Sequence, residues 1–268
     1  NPNPNPNPNP NPNPNPNPNP NPGYELLDAG FSGVPYYRLG RAAALNAADA
    51  AGGAPSPAPA DVTVIECGGG PTGADAGTLR VVVVSDTHGY HDSLEGRVPP
   101  GDVLLHCGDF SLDSGRRKKD REAQSSFDAW LAAQPHPAKI VVRGNHDSSG
   151  WKFPRSGAHY ATRNELLALR KGAEGAAADV MMYVSPHLGY KNAAVPAAGI
   201  DILATHAPPN GLLDFTYNGQ RAGSSHLRLM SRAWARGGAD GGKAPPRLWA
   251  CGHIHEASGV MAVDFTSD

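Results

Sequence analysis

Beyond Leu79 the apolar side chains gather in short unbroken runs: Val81 to Val84, Val103 to Leu105, Ile140 to Val142, Ile202 to Ala204 and Leu248 to Ala250. Each is β-branched or leucine-rich and none alternates with polar residues, a pattern that predicts strands buried on both faces. Between them, helical spacing puts Phe127, Trp130 and Leu131 on one face after the charged stretch Arg116 to Glu122. Leu227, Met230 and Trp234 line a second helix that Gly237 is placed to end. Thr162 and Glu165 read as a capping box for a third helix over Leu166, Leu167 and Leu169. Strands alternating with helices predict an α/β domain.

The part before Leu79 differs in kind. Asn1 to Pro22 is an uninterrupted Asn-Pro repeat. Each proline fixes φ and lacks an amide donor, and each preceding Asn is pushed out of the helical region, so a disordered, solvated leader is expected. Residues 23 to 78 are rich in Ala, Gly and Pro, with 41 to 60 reading as a linker and Asp61 to Cys67 as the one convincing strand, suited to a sheet edge. The chain thus divides into a repeat (1–22), an N-terminal segment (23–78) and a domain (79–268).

Charge narrows the classes of partner. The formal net charge is -2, so Arg116 to Lys119 reads as a solvated helix entrance, and Arg228, Arg232 and Arg236 as a wet helix face, rather than a nucleic-acid surface. No apolar run approaches the roughly 18 residues of a membrane span, and no charged-then-apolar leader marks secretion. A soluble cytoplasmic protein is expected. Cys67, Cys107 and Cys251 form no Cys-x-x-Cys pair and read as reduced core thiols.

The candidate chemistry sits directly after the runs. Their endings are Asp86-Thr-His88, Gly108-Asp109, Gly144-Asn145-His146-Asp147, Thr205-His206 and Gly252-His253-Ile-His255. In an open α/β sheet, ligands bind beyond the carboxyl ends of the strands, so Asp86, Asp109, Asn145, His206, His253 and His255 can converge on one crevice. Carboxylate, imidazole and a neutral Asn carbonyl together suit a pair of divalent ions. Two carboxylates against two such ions leave about two positive charges in excess, enough to attract a phosphate and acidify water.

The blocks Ser85-Asp86-Thr-His88, His106-Cys-Gly108-Asp109-Phe110, Arg143-Gly-Asn145-His146-Asp147, Leu203-Ala-Thr-His206-Ala-Pro-Pro-Asn-Gly211 and Cys251-Gly-His253-Ile-His255-Glu256 resemble the calcineurin-like metallophosphoesterases. They are most similar to the metallophosphoesterase-domain-containing branch, itself similar to class III cyclic-nucleotide phosphodiesterases. The resemblance implies a four-layer α/β/β/α sandwich. It assigns Asp86, His88, Asp109 and His255 to one metal and Asp109, Asn145, His206 and His253 to the other, with Asp109 as the bridge. His146 would stay off the metals and serve the leaving oxygen. The implied cofactors are two divalent ions, with manganese, iron and zinc fitting equally. The implied activity is hydrolysis of a phosphodiester by a metal-activated hydroxide, on a small phosphate ester or cyclic nucleotide.

Two rival functions remain: a phosphomonoesterase or protein phosphatase, which keeps the same metals, and a nucleotide-binding scaffold with little turnover. The chain departs from the family where members carry an aromatic Gly-x-Pro-Trp type strand, here Val180 to Tyr190 followed by an Ala/Pro-rich stretch. It also ends soon after the Gly-His-Ile-His block, so a sandwich incomplete at its C-terminus is expected. Outside the motifs, His91, His136, His159, His187 and His226 are expected to be surface or packed histidines. His106 is expected to pack beside the site rather than to ligate.

Overall fold

The computed structural model of the chain describes residues 24–27, 36–39, 62–68, 78–112, 117–171, 179–192, 199–235 and 245–263. The Asn-Pro repeat, the 41–60 linker, Arg116, Arg236 and Gly237 lie outside them. In chain order the strands are β1 (Tyr24–Leu27), β2 (Tyr36–Leu39), β3 (Val62–Glu66), β4 (Leu79–Val84), β5 (Val103–His106), β6 (Ala138–Val142), β7 (His159–Ala161), β8 (Glu165–Arg170), β9 (Val180–Ser185), β10 (Ile202–Thr205) and β11 (Leu248–Ala250). Helix α1 (Arg117–Ala133) lies between β5 and β6, and α2 (Ser225–Ala235) between β10 and β11. All five apolar runs fall on strands, namely β4, β5, β6, β10 and β11.

The strands form two sheets, ordered β1-β2-β4-β5-β6-β7 and β11-β10-β9-β8-β3. In the first, β4 to β7 run parallel and β1 and β2 join antiparallel. In the second, only the β8–β9 pair is antiparallel. The sheets face each other across a core that includes Val81, Val103, Leu105, Ile140 and Val142 from one and Leu167, Leu169, Met182, Val184 and Ile202 from the other. Helix α1 covers the outer face of the first sheet through Phe127, Trp130 and Leu131, packed with Val82, Leu104 and Val141. Helix α2 covers the second through Leu227, Met230 and Trp234, packed with Leu166, Tyr183 and Leu203. These are the four layers of an α/β/β/α sandwich, and both helical stripes read from the sequence are core.

Two expectations are corrected. Thr162 and Glu165 do not open a helix; Glu165 begins β8, an inner strand between β3 and β9. Leu166 to Leu169 are all buried, which suits a strand covered on both faces, and tertiary burial overrides the helix propensity of Leu and Ala. Instead of capping, the Glu165 carboxylate lies 3.0 Å from His159 Nε2 on β7. The stretch between 23 and 78 also holds more than one strand, since β1 and β2 precede β3 and lengthen the first sheet. Their tyrosine-rich composition fits a strand, but four-residue segments in a Gly/Pro setting carry too little periodicity to stand out. β3 itself occupies the edge of the second sheet.

Candidate metal centre

Every candidate residue lies beyond the carboxyl end of a strand, on the connecting loop or, for His255, at the start of a short 3-10 helix (His255–Ala257), and backbone hydrogen bonds extend the sheet order into those connections. Asp86 N–H donates to Gly108 O at 2.9 Å, His88 N–H to Asp109 O at 3.0 Å, and Gly252 N–H to His206 O at 2.8 Å. Left-handed backbone concentrates here, with positive φ at Asp86 (54°), His88 (43°), Asp109 (57°) and His253 (73°). For non-glycine residues such conformations cost about 1–3 kcal/mol each and persist only where surrounding structure enforces them.

The enforcing contacts are visible. Asp147, buried, accepts the amides of Asp109 (2.7 Å), Ser111 (3.0 Å) and Gly144 (2.8 Å), clamping the loop after β5 to the loop after β6. Burial pushes the Asp147 carboxyl up to about 6 against the lowering effect of those amides. Phe110, fully buried beside Asp109, stacks on α1 Phe127 with ring centroids 4.6 Å apart, and burial of such a ring contributes about 1.5–3 kcal/mol. Across the sheets, Asp86 Oδ2 accepts the His253 amide at 2.9 Å.

Close approach also restricts the glycines. A Cβ on Gly144 would collide with Asp109 N and Oδ1, and one on Gly252 with Ser85 Oγ and Asp86 Oδ2. Gly144→Ala should therefore displace the Asp109 carboxylate and lower stability by about 1–3 kcal/mol, as overpacking typically does. Gly199→Ala, where an added Cβ meets no atom within 4 Å, is the matched control. Thermal melts with metal analysis check both, and equal melting temperatures would rule out the crowding argument.

The candidate ligands form two clusters. In the first, Asp86 Oδ1 lies 3.4 Å from His255 Nε2 and 4.0 Å from His88 Nε2, and the two Nε2 atoms are 3.2 Å apart. In the second, His206 Nε2 lies 2.8 Å from Asn145 Oδ1 and 3.3 Å from Asp109 Oδ2, and the His253 ring is 4.9 Å from that of His206. His146 stands between the clusters, its Nε2 3.9 Å from Asp109 Oδ2 and its ring 5.2 Å from that of His88. The structure thus brings together all eight residues singled out from the sequence.

The donor set fits cations. Asp86 Oδ1 is buried yet accepts no hydrogen bond among the described residues, a costly state that a positive charge would relieve. His88 Nδ1 faces Ser111 O at 3.2 Å and His206 Nδ1 faces Cys107 O at 2.9 Å. A carbonyl only accepts, so each Nδ1 carries a proton and Nε2 is the nitrogen each ring offers to a metal in its cluster. Burial alone would raise the Asp109 carboxyl, but the hydrogen bond and charge of His206 outweigh it and hold it at about 2. His206 is itself pushed upward by Asp109 against its burial, so loading a metal there releases a proton.

The remaining histidines divide. His106 is fully buried, its Nδ1 accepting the Gly108 amide at 3.2 Å, which leaves Nε2–H to donate to Thr87 Oγ1 at 3.1 Å. Burial, with the charge of His206 behind it, pulls this ring down to about 3. His91 packs on Phe127 and Trp130 and bonds Ser126 Oγ at 2.9 Å; His136 donates to Pro99 O at 3.0 Å; His226 is exposed. His187 is different. Its ring lies 6.2 Å from that of His206, and burial plus the neighbouring charge of His206 and Arg143 pull it down to about 4. In the sequence it stands out little, because the Val180 run matches the family's Gly-x-Pro-Trp type strand poorly, although His187 follows that run as the other candidates follow theirs. Asp147 likewise stands out little. Cys67 and Cys107 are buried and Cys251 half-buried, and all three are free thiols. Burial pushes Cys67 and Cys251 up to about 12.

Comparison with known proteins bears on this geometry. The family model described as calcineurin-like phosphoesterase matches residues 79–257, which include every residue of both clusters. Over 226 residues the chain is 31% identical to Metallophosphoesterase domain-containing protein 1 of Homo sapiens and of Mus musculus, a match covering 69% of this chain. It spans 63% of the length of those relatives. It is also 31% identical over 211 residues to a probable rhamnogalacturonate lyase C of Emericella nidulans, of which the match covers 18%. Among the described residues, no helix is long and apolar enough to cross a membrane.

Proposed function

The chain belongs to the calcineurin-like phosphoesterase family, and from that premise we propose that it is a metal-dependent phosphoric ester hydrolase that prefers a phosphodiester. The substrate class is a small phosphate ester or cyclic nucleotide. The observation that carries the reading is the buried, unbonded Asp86 Oδ1 facing the Nε2 atoms of His88 and His255, with the Asp109, Asn145 and His206 atoms converging beside it. In this reading Asp86, His88, Asp109 and His255 hold one ion and Asp109, Asn145, His206 and His253 the other, Asp109 serving both. Manganese, iron and zinc all suit these donors. Divalent ions at such a site supply Lewis acidity and acidify water.

The chain's own groups do the rest. The carbonyls of Ser111 and Cys107 fix the tautomers of His88 and His206, and Asp147 fixes the loop that aims Asp109. His146 reaches the space between the clusters with a side chain 37% exposed, so it can meet a bound ester and give a proton to the leaving oxygen. The diester preference is supported by Arg143. Its Nε donates to Asp147 O at 3.0 Å and a terminal nitrogen to His187 O at 3.4 Å, so its fork is engaged with backbone rather than aimed at a dianionic phosphate.

The test is to load the protein with manganese, iron or zinc and compare bis(para-nitrophenyl) phosphate with para-nitrophenyl phosphate. We expect faster, metal-dependent turnover of the diester that a chelator abolishes. Faster turnover of the monoester would select a monoesterase, and tight AMP binding with no hydrolysis of either would select a binding protein.

A further inference from the structure

We propose that His187 is a substrate-positioning residue, giving a hydrogen bond to a phosphoryl oxygen of an ester held at the second cluster. The inference rests on the hydrolase reading above and adds to it a side chain from a strand that supplies none of the candidate ligands.

The fold places His187 there by register. β9 runs parallel to β10 with Ser185 opposite Thr205, so the chain leaves both strands at the same edge, toward His206 on β10 and toward Pro186 and His187 on β9. The two imidazoles meet edge to face, with centroids 6.2 Å apart and planes at 82°. His206 is fully buried whereas His187 is half-buried, so of the two rings His187 is the one solvent reaches. The convergent ligand atoms come from Asp86, His88, Asp109, His146, His206, His253 and His255, and no His187 nitrogen falls among them. Its position is that of a neighbour to the ion site, able to reach what the ion binds.

Its backbone is also held in place. His187 N–H donates to Arg143 O at 2.9 Å, and an Arg143 terminal nitrogen donates back to His187 O at 3.4 Å. Arg143 Nε holds Asp147 O, and the Asp147 carboxylate holds the amide of Asp109. The His187 backbone is thereby tied to the same clamp that aims the Asp109 carboxylate. A backbone fixed in this way leaves only the ring to be ordered when it meets a bound phosphoryl group.

His187→Phe keeps a flat ring and removes the N–H, and His187→Gln restores a donor. In metal-loaded protein we expect both variants to keep their ions. In the Phe variant KM for the diester and the inhibition constant of inorganic phosphate should rise about 10- to 100-fold, the worth of a hydrogen bond to a charged group, with a smaller change in kcat and partial recovery in the Gln variant. In the wild type, inorganic phosphate should shift the His187 imidazole resonances, a measurement that needs no substitution. Unchanged KM and phosphate inhibition in the Phe variant, or no shift on saturation with phosphate, would overturn the role. Loss of metal from both variants would make His187 a structural support instead. A wild type that binds no metal and turns over no ester would overturn the hydrolase reading and this inference with it; an active wild type matched by the Phe variant would overturn this inference alone.

Discussion

Asp109→Ala should strip both ions from the protein, whereas Asp86→Ala should mainly weaken one. Asp109 Oδ1 is occupied by the amide of His146 at 2.8 Å, so Oδ2 is the atom free to serve ions. Asp109 groups with His206 and His253 on one side and with His88 and His146 on the other, while among the described residues Asp86 groups only with His88 and His255. Removing Asp109 takes a donor from both clusters and also takes away the partner that holds the proton on His206. Since metals of this kind supply several kcal/mol of transition-state stabilisation, turnover should fall by at least about 10³-fold. Asp109→Asn, which keeps the acceptor for the His146 amide and loses the charge, separates ligation from loop support. Elemental analysis reads the outcome, and equal metal loss in the Asp86 and Asp109 variants would sink the bridging assignment.

The sequence made the ligand loops legible because each follows a run whose strand character needs no periodicity to recognise. Val103 to Leu105 can sit only between two layers, so the polar Gly108-Asp109 beyond it must lie at a sheet end. What the sequence could not convey was which layer a run joins. Leu166 to Leu169 carries helix-favouring residues, and only pairing with β3 and β9 makes it an inner strand. The same pairing places β9 beside β10, and through it His187 beside His206, a contact between residues that belong to no common motif. Asp147 stands in the same block as Asn145 and His146, but its work is three hydrogen bonds to backbone amides, partners that leave no mark in composition. The glycines of the blocks are explained in the same way: Gly144 and Gly252 are there because a carboxylate occupies the space a Cβ would need.

His146→Ala should leave both ions bound while slowing hydrolysis of diesters with poor leaving groups by about 10² to 10⁴, the usual worth of a positioned general acid. Its backbone amide, which the substitution retains, holds Asp109 Oδ1, so the Asp109 carboxylate keeps its place. Its Nε2, 3.9 Å from Asp109 Oδ2, is near enough to the clusters to compete for an ion, which makes metal content the first quantity to measure. If the ions stay, the leaving group decides the role. A nitrophenolate needs little protonation, so its ester should lose much less rate than an alkyl diester, and rate restored by raising leaving-group acidity is the signature of a missing acid. Loss of metal would place His146 among the ligands. Equal rate loss for both ester classes would instead assign it to stabilising charge on the phosphoryl group, a task that does not depend on which oxygen departs.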